Sequence, residues 1–194
     1  MILASRSPRR RELLRSCGVE FTIFDADVEE LSPGMGVELA DLPLHNAALK
    51  AGKAADIFPH EVVLAADTMV ICGQQALGKP ASPADAKRML QLLSGKEHEV
   101  ITGMALVCRE KNICDLWSEI TRVRFHTLTG DIIQKYMTLV DVSDKAGAYA
   151  IQEHGELIVA SCDGEIENVI GLPLLRLKAR LQELIQDYGK DLFE

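Results

Sequence analysis

The sequence contains no run approaching about 18 apolar residues free of charge, the length that a membrane-spanning helix needs. It has no low-complexity tract and no internal repeat, and its apolar fraction of 47% is ordinary for a folded chain. The five cysteines, Cys17, Cys72, Cys108, Cys114 and Cys162, are odd in number, scattered and form no CxxC pair. Neither a zinc site nor a disulfide framework is expected from them. The five histidines are equally dispersed, and no HExxH occurs. Basic charge is short: 21 Lys and Arg stand against 29 Asp and Glu, a formal net charge of −8 and the wrong sign for a nucleic-acid polymer. The arginines of MILASRSPRRR follow only four apolar residues, the wrong order and length for a secretory signal, so the cytoplasm is the expected compartment.

A chain of 194 residues exceeds the soft prior of about 150 per domain only modestly, and it can bury a real core without staples. Short apolar runs alternate with helical stripes, the pattern of an α/β fold. A strand is expected at Met1–Ala4, then a helix from Pro8 with Ser7 as cap and Gly18 as terminator. Phe21–Phe24 reads as a strand, and residues 44–58 as a helix with Ala47, Ala51, Ala54 and Phe58 on one face. Val62–Ala66 reads as a buried strand, which Met69–Cys72 continues or which turns at Gly73-Gln74 to pair with Ala76–Leu77. Further helices are expected at Pro83–Leu93, Thr129–Leu139 and Pro173–Tyr188, and strands at Glu99–Cys108, Ile113–Phe125 and Leu157–Ala160. No linker interrupts the chain, so residues 1–194 are expected to form one continuous domain with two lobes around a cleft.

The sharpest local signal is electrostatic. Arg6, Arg9, Arg10, Arg11 and Arg15 crowd the first fifteen residues, opposed there only by Glu12. A helix N-terminus prefers acidic residues, yet this first turn carries Arg9 and Arg10. Two readings stay open: an anion cradled by backbone N–H groups, the Ser5 and Ser7 hydroxyls and the guanidiniums, or a solvated arginine-rich surface helix. If the arginines grip an anion, replacing Arg10 by alanine should leave stability unchanged or raise it, because a like-charge helix start is relieved. Asp67 interrupts the apolar stretch from Val62 to Cys72, at the expected C-terminal end of a buried strand. A carboxylate there is costly unless paired, bound to metal or exposed in a cleft, although a simple turn aspartate fits as well. Gly73–Lys79 matches the first seven positions of a phosphate-binding loop, but Pro80 stands where a hydroxyl is required and disfavours a helix start at Lys79. Lys50 borders the alanine stripe, where it can pack its stem and extend its ammonium into a cleft or into solvent. Glu29 and Glu30 follow a strand as metal-ligand candidates, and Gly147 in Asp144–Gln152 points to close backbone approach.

The segments LASRSPRRRELL (Leu3–Leu14), AADTMV (Ala65–Val70), GKP (Gly78–Pro80), LSGKEHEVITG (Leu93–Gly103), DKAGAYAIQ (Asp144–Gln152) and GLPL (Gly171–Leu174) resemble the Maf family, in the family's order and over almost the whole chain. That resemblance implies a nucleoside triphosphate pyrophosphatase that releases a nucleoside monophosphate and pyrophosphate with a divalent metal, Mg or Mn. The implied fold is a two-lobed α/β mixed sheet with a central nucleotide cleft, similar to inosine triphosphate pyrophosphatases. By the same resemblance Asp67 is the proton acceptor, Ser5, Arg10, Lys50 and Lys79 bind phosphate, and Glu30 lies with Asp67 near the metal. SPRR, ADT and AYxIQ resemble the branch acting on dTTP and UTP, whereas the 7-methyl-GTP branch has SPWR, SDQ and a serine–glutamate pair. Arg9, Thr68 and Gln152 therefore become substrate-binding candidates. Glu153-His154 replaces the family's usual glycine after the glutamine, and DGEIEN at 163–168 lacks the usual aromatic. The implied partner is a nucleotide substrate, not a nucleic-acid polymer or a membrane, with homodimerisation open. A broader pyrophosphatase for modified nucleotides and a nucleotide-binding regulator of cell division are the alternatives.

Overall fold

The computed structural model describes residues 1–189 and Leu192. Among these, seven strands and six α-helices alternate along the chain: β1 (Ile2–Leu3), α1 (Pro8–Ser16), β2 (Thr22–Ile23), α2 (Leu42–Ile57), β3 (Val63–Cys72), β4 (Gln75–Leu77), α3 (Pro83–Leu93), β5 (Glu97–Cys108), β6 (Ile113–Phe125), α4 (Gly130–Leu139), β7 (Val159–Asp163), α5 (Ile166–Ile170) and α6 (Leu174–Tyr188). The sheet runs β2-β1-β3-β5-β6-β7, with β4 paired to β3 off this path. It is mixed: β1 is parallel to both β2 and β3, whereas β4 on β3 and β7 on β6 are antiparallel. The α/β class follows from the sequence pattern as expected. The chain divides into two compact units, Met1–Asp67 with Thr102–Glu119 and Gly171–Glu194, and Thr68–Ile101 with Ile120–Ile170.

In the first unit, strand residues alternate between two buried faces. Leu3, Leu64, Ala66, Met104 and Leu106 pack with Leu14 of α1 and with Leu174, Leu177, Leu181 and Leu184 of α6. Ile2, Ala4, Val63, Ala65, Ala105 and Val107 pack instead against the alanine stripe of α2. Parallel strands covered on both sides read as unbroken apolar runs, which is why Val62–Ala66 shows no alternation. The stripe of Ala47, Ala51, Ala54 and Ala55 has no side-chain bulk, so α2 can lie close to the sheet. At Gly103 a Cβ would run into the backbone of Pro43 and Leu44, so the first turn of α2 rests directly on β5.

The second unit has its own core, in which Val70, Leu77, Met89, Leu90, Leu93, Phe125, Ile133 and Tyr136 converge. Ser82 caps α3 by accepting from the Asp85 N–H at 3.2 Å, and Thr129 caps α4 by accepting from the Ile132 N–H at 3.3 Å. The Gly73–Lys79 stretch forms no phosphate-binding loop. It turns back as a hairpin that pairs Cys72 with Gln75 and Val70 with Leu77, and the next helix opens only at Pro83.

Three sequence expectations need correction. Asp67 does not end its strand: β3 takes the continuation through Met69–Cys72 that the sequence left open and also pairs with β4, so Asp67 sits mid-strand where burial lapses over Asp67–Met69. The strand expected at Leu157–Ala160 begins at Val159, because Gly155–Leu157 tightens into a single 3₁₀ turn. The short α5 was not anticipated; its five residues are too few for a helical period to register.

Candidate active site

β1 ends at Leu3, and the chain enters α1 through Ser5–Ser7. Ser7 is the N-cap, accepting from the Arg10 N–H at 3.4 Å, with Pro8 opening the first turn. Ser5 is buried, and its Oγ accepts from both the Ser7 N–H and Arg10 Nη1, each at 3.3 Å. Arg10 Nε donates to the Gly171 carbonyl at 2.7 Å, which ties the arginine turn to the GLPL segment. The guanidinium is thus fixed at two points. Burial lowers its pKa most strongly; the charges of Asp67 and Glu30 oppose that shift, and Arg9 adds to it. No acidic residue occupies this first turn. The solvated-helix reading does not describe Arg10, although its neighbour Arg6 pairs with Asp25 at the surface, 3.4 Å apart.

α2 contributes the next groups. Asn46 and Lys50 lie four residues apart on one face of the helix, beside the buried alanines. Lys50 extends its ammonium to Asp67 Oδ1 and Glu30 Oε1, 2.7 Å from each. Asp67 is largely buried and Glu30 half exposed. The cost of placing a carboxylate in β3 is offset by this ion pair and by a long 3.5 Å contact from Asn46 Nδ2. Asn46 escaped the sequence reading. Its only local signal was a polar residue at the edge of an apolar stripe.

Two carboxylate oxygens therefore converge on one cationic position. Among the described residues no group of three or more His, Cys, Asp or Glu could hold a metal unaided. Magnesium does not require one, because it is commonly held by one or two carboxylates together with substrate phosphates. Glu30 and Asp67 fit that donor set. Glu29 is exposed beside Glu30 and does not share the Lys50 ammonium.

Thr68, Lys79 and Gln152 belong to the second unit. Thr68 is half buried on β3, immediately after Asp67. Lys79 is exposed in the loop after β4, and that loop is held by the Gly147 N–H donating to the Gly78 carbonyl at 3.0 Å. Gly147 has φ +68, and a Cβ there would press on Val70 at 3.1 Å, so the close approach expected at this glycine occurs. Gln152 is exposed in a turn whose approach is firmly held. The Tyr136 hydroxyl bonds both backbone groups of Ala150, accepting from N–H at 3.0 Å and donating to C=O at 3.1 Å. Burial pushes the Tyr136 phenol up to about 12, so it stays a donor throughout the neutral range. The Tyr149 hydroxyl meets His98 Nε2 at 2.9 Å. The Glu153 carboxylate pairs with the buried Lys145 ammonium at 3.5 Å, and His154 takes the left-handed conformation, φ +54, that a glycine would adopt without strain.

Residues 1–184 match the family described as Maf-like protein. The chain is 47% identical over 176 residues to a protein of Akkermansia muciniphila named dTTP/UTP pyrophosphatase, 90% of each chain being covered. Proteins of the same name from Bacillus cereus (strain Q1) and Bacillus mycoides (strain KBAB4) are 42% identical to it, over 94% and 96% of each chain. With a match that runs from β1 into α6, this chain belongs to the Maf family.

Proposed function

We propose that this protein hydrolyses dTTP and UTP to the nucleoside monophosphate and pyrophosphate. The carrying observation is the Lys50 ammonium shared by Asp67 and Glu30, in the electrostatic range of Arg10. Such a set can hold a polyphosphate and also deprotonate water. Arg10, pinned by Gly171 and Ser5, presents its charge to the phosphate chain without first having to be ordered. Ser5 Oγ and the N–H groups of the α1 turn add neutral donors toward the same anion. The Asp67 carboxylate takes a proton from water as that water attacks the α-phosphorus; the bond to the bridging oxygen breaks, and pyrophosphate leaves with the electron pair. Lys50 keeps Asp67 aligned and balances charge that accumulates on the phosphates. Glu30 and Asp67 would hold a divalent cation, Mg or Mn, whose charge would add to the neutralisation of the phosphate oxygens. Lys79 is assigned to the leaving pyrophosphate.

Base choice is assigned to Gln152, with Thr68 and Arg9. Uracil and thymine present a carbonyl–NH–carbonyl edge, which one glutamine amide meets with a donor and an acceptor. The relatives' shared name supports the pyrimidine assignment. All five cysteines are free thiols, which supports a reducing, cytoplasmic setting. Hydrolysis of dTTP in ¹⁸O-labelled water with magnesium tests the site of attack: the label is expected in dTMP. Label in pyrophosphate, or release of inorganic phosphate, would contradict it.

A further inference from the structure

Glu30 lies on residues 24–41, a stretch without helix or strand, and nothing in regular backbone pairing fixes where its carboxylate goes. The adjoining residue is fixed by one buried side chain. Asn46, 1% exposed, accepts from the Leu31 N–H through Oδ1 at 2.7 Å and donates from Nδ2 to the Leu31 carbonyl at 3.1 Å. Only one orientation of the amide satisfies both backbone groups, so the geometry sets which end is which. In that orientation the same Nδ2 faces Asp67 Oδ2 at 3.5 Å. One turn along α2, Lys50 bridges Glu30 and Asp67. The backbone beside Glu30, the Asp67 carboxylate and the Lys50 stem are therefore referred to one helix face.

We propose that Asn46 is a positioning residue for hydrolysis, holding the Glu30 segment against α2 and orienting Asp67 through the second proton of its amide. It is given no contact with the substrate; it acts through Glu30 and Asp67. The proposal rests on the pyrophosphatase reading for its kinetic consequence but not for its geometry, and the test separates the two. Asn46→Ala removes every bond. Asn46→Asp is nearly isosteric and keeps an acceptor for the Leu31 N–H, but it turns the donor end into a carboxylate oxygen facing Asp67 and the Leu31 carbonyl. It thus breaks the orienting contact without emptying the site and serves where the alanine variant fails to fold.

The unmodified full chain and both variants are assayed for magnesium-dependent pyrophosphate release from dTTP, per folded molecule, alongside amide hydrogen exchange at Leu31. The expected loss is about 10- to 100-fold in kcat for both variants, with KM nearly unchanged. The Leu31 amide, protected in the unmodified chain, exchanges faster in Asn46→Ala and stays protected in Asn46→Asp. A purely structural asparagine would lower melting temperature and leave kcat alone. A kcat within about twofold of the unmodified chain in both variants, or Leu31 exchange unchanged by Asn46→Ala, overturns the proposal. If the unmodified chain releases no pyrophosphate from any nucleotide, the functional reading falls and Leu31 exchange alone decides the clamp.

Discussion

Asp67 and Arg10 show how far a residue's chemistry can depart from its sequence context. Asp67 stands in an apolar run because Lys50, seventeen positions earlier, supplies its counter-charge at 2.7 Å. Asp67→Asn keeps the shape and removes the proposed proton acceptor. Pyrophosphate release from dTTP should fall by about 10²–10⁴-fold while nucleotide affinity, measured by calorimetry, stays close to that of the unmodified chain. Arg10 reverses the expectation that removing it would leave stability unchanged or higher. Its Nε bond to Gly171 joins residues 161 apart in the chain, its Nη1 bond to Ser5 holds the turn locally, and alanine would leave the Gly171 carbonyl without its donor. Arg10→Ala should therefore weaken nucleotide binding and also cost about 1–3 kcal/mol in denaturant unfolding. Unchanged unfolding would place the anchoring bonds among the energetically silent ones.

Among the elements, those announced by local chemistry were legible in advance. Ser7-Pro8 and Ser82-Pro83 open α1 and α3 because a hydroxyl cap and a fixed proline φ act within one turn. Asn46 was not legible, since its partners lie 15 and 21 residues away and helical periodicity carries no record of them. The strand at Val159 was misplaced for a related reason: Leu157 is apolar because it packs on the second unit's core from a 3₁₀ turn, not because it belongs to a strand. Gly103 gives the element-scale prediction. A methyl group there meets α2 backbone rather than a movable side chain, so Gly103→Ala should cost about 1–3 kcal/mol or more by overpacking. Because α2 carries Lys50, activity should decline with it. A variant as stable as the unmodified chain would mean that α2 shifts freely on β5. Lys145 stands 3.5 Å from Glu153 and 3.0 Å from Asp144, so it offsets part of the charge beside Gln152. Gln152→Glu should then depress dTTP and UTP turnover more than turnover of poor substrates, because a carboxylate cannot donate to the pyrimidine carbonyls.

For the whole molecule, the partition into two units, one with a buried cluster on each sheet face and one with its own core, explains both what composition announced and what it withheld. The class, mixed α/β, follows from apolar runs and stripes; the partition does not, because the chain crosses from one unit to the other inside β3, β5 and β6. Global stability should carry a particular acid signature. His98 is buried against Phe125 and Tyr149, and desolvation lowers its pKa to about 4. The unfolded chain, with an ordinary imidazole near 6.5, binds the proton more readily. Stability from this group is therefore full above pH 6.5 and is lost as pH falls toward 4, amounting to about 2 kcal/mol between pH 7.5 and pH 5. Urea unfolding at the two pH values should show that slope, and His98→Gln should flatten it.

The most direct measurement is a comparison of kcat/KM for pyrophosphate release from dTTP, UTP, CTP, GTP and 7-methyl-GTP, with magnesium and with manganese. On the proposed roles of the Lys50-centred carboxylates, the pinned Arg10 and the glutamine at 152, the expected product is pyrophosphate, with dTTP and UTP the best substrates. GTP or 7-methyl-GTP coming out best would contradict the pyrimidine assignment while leaving the reaction intact, and no pyrophosphate from any of the five would contradict both.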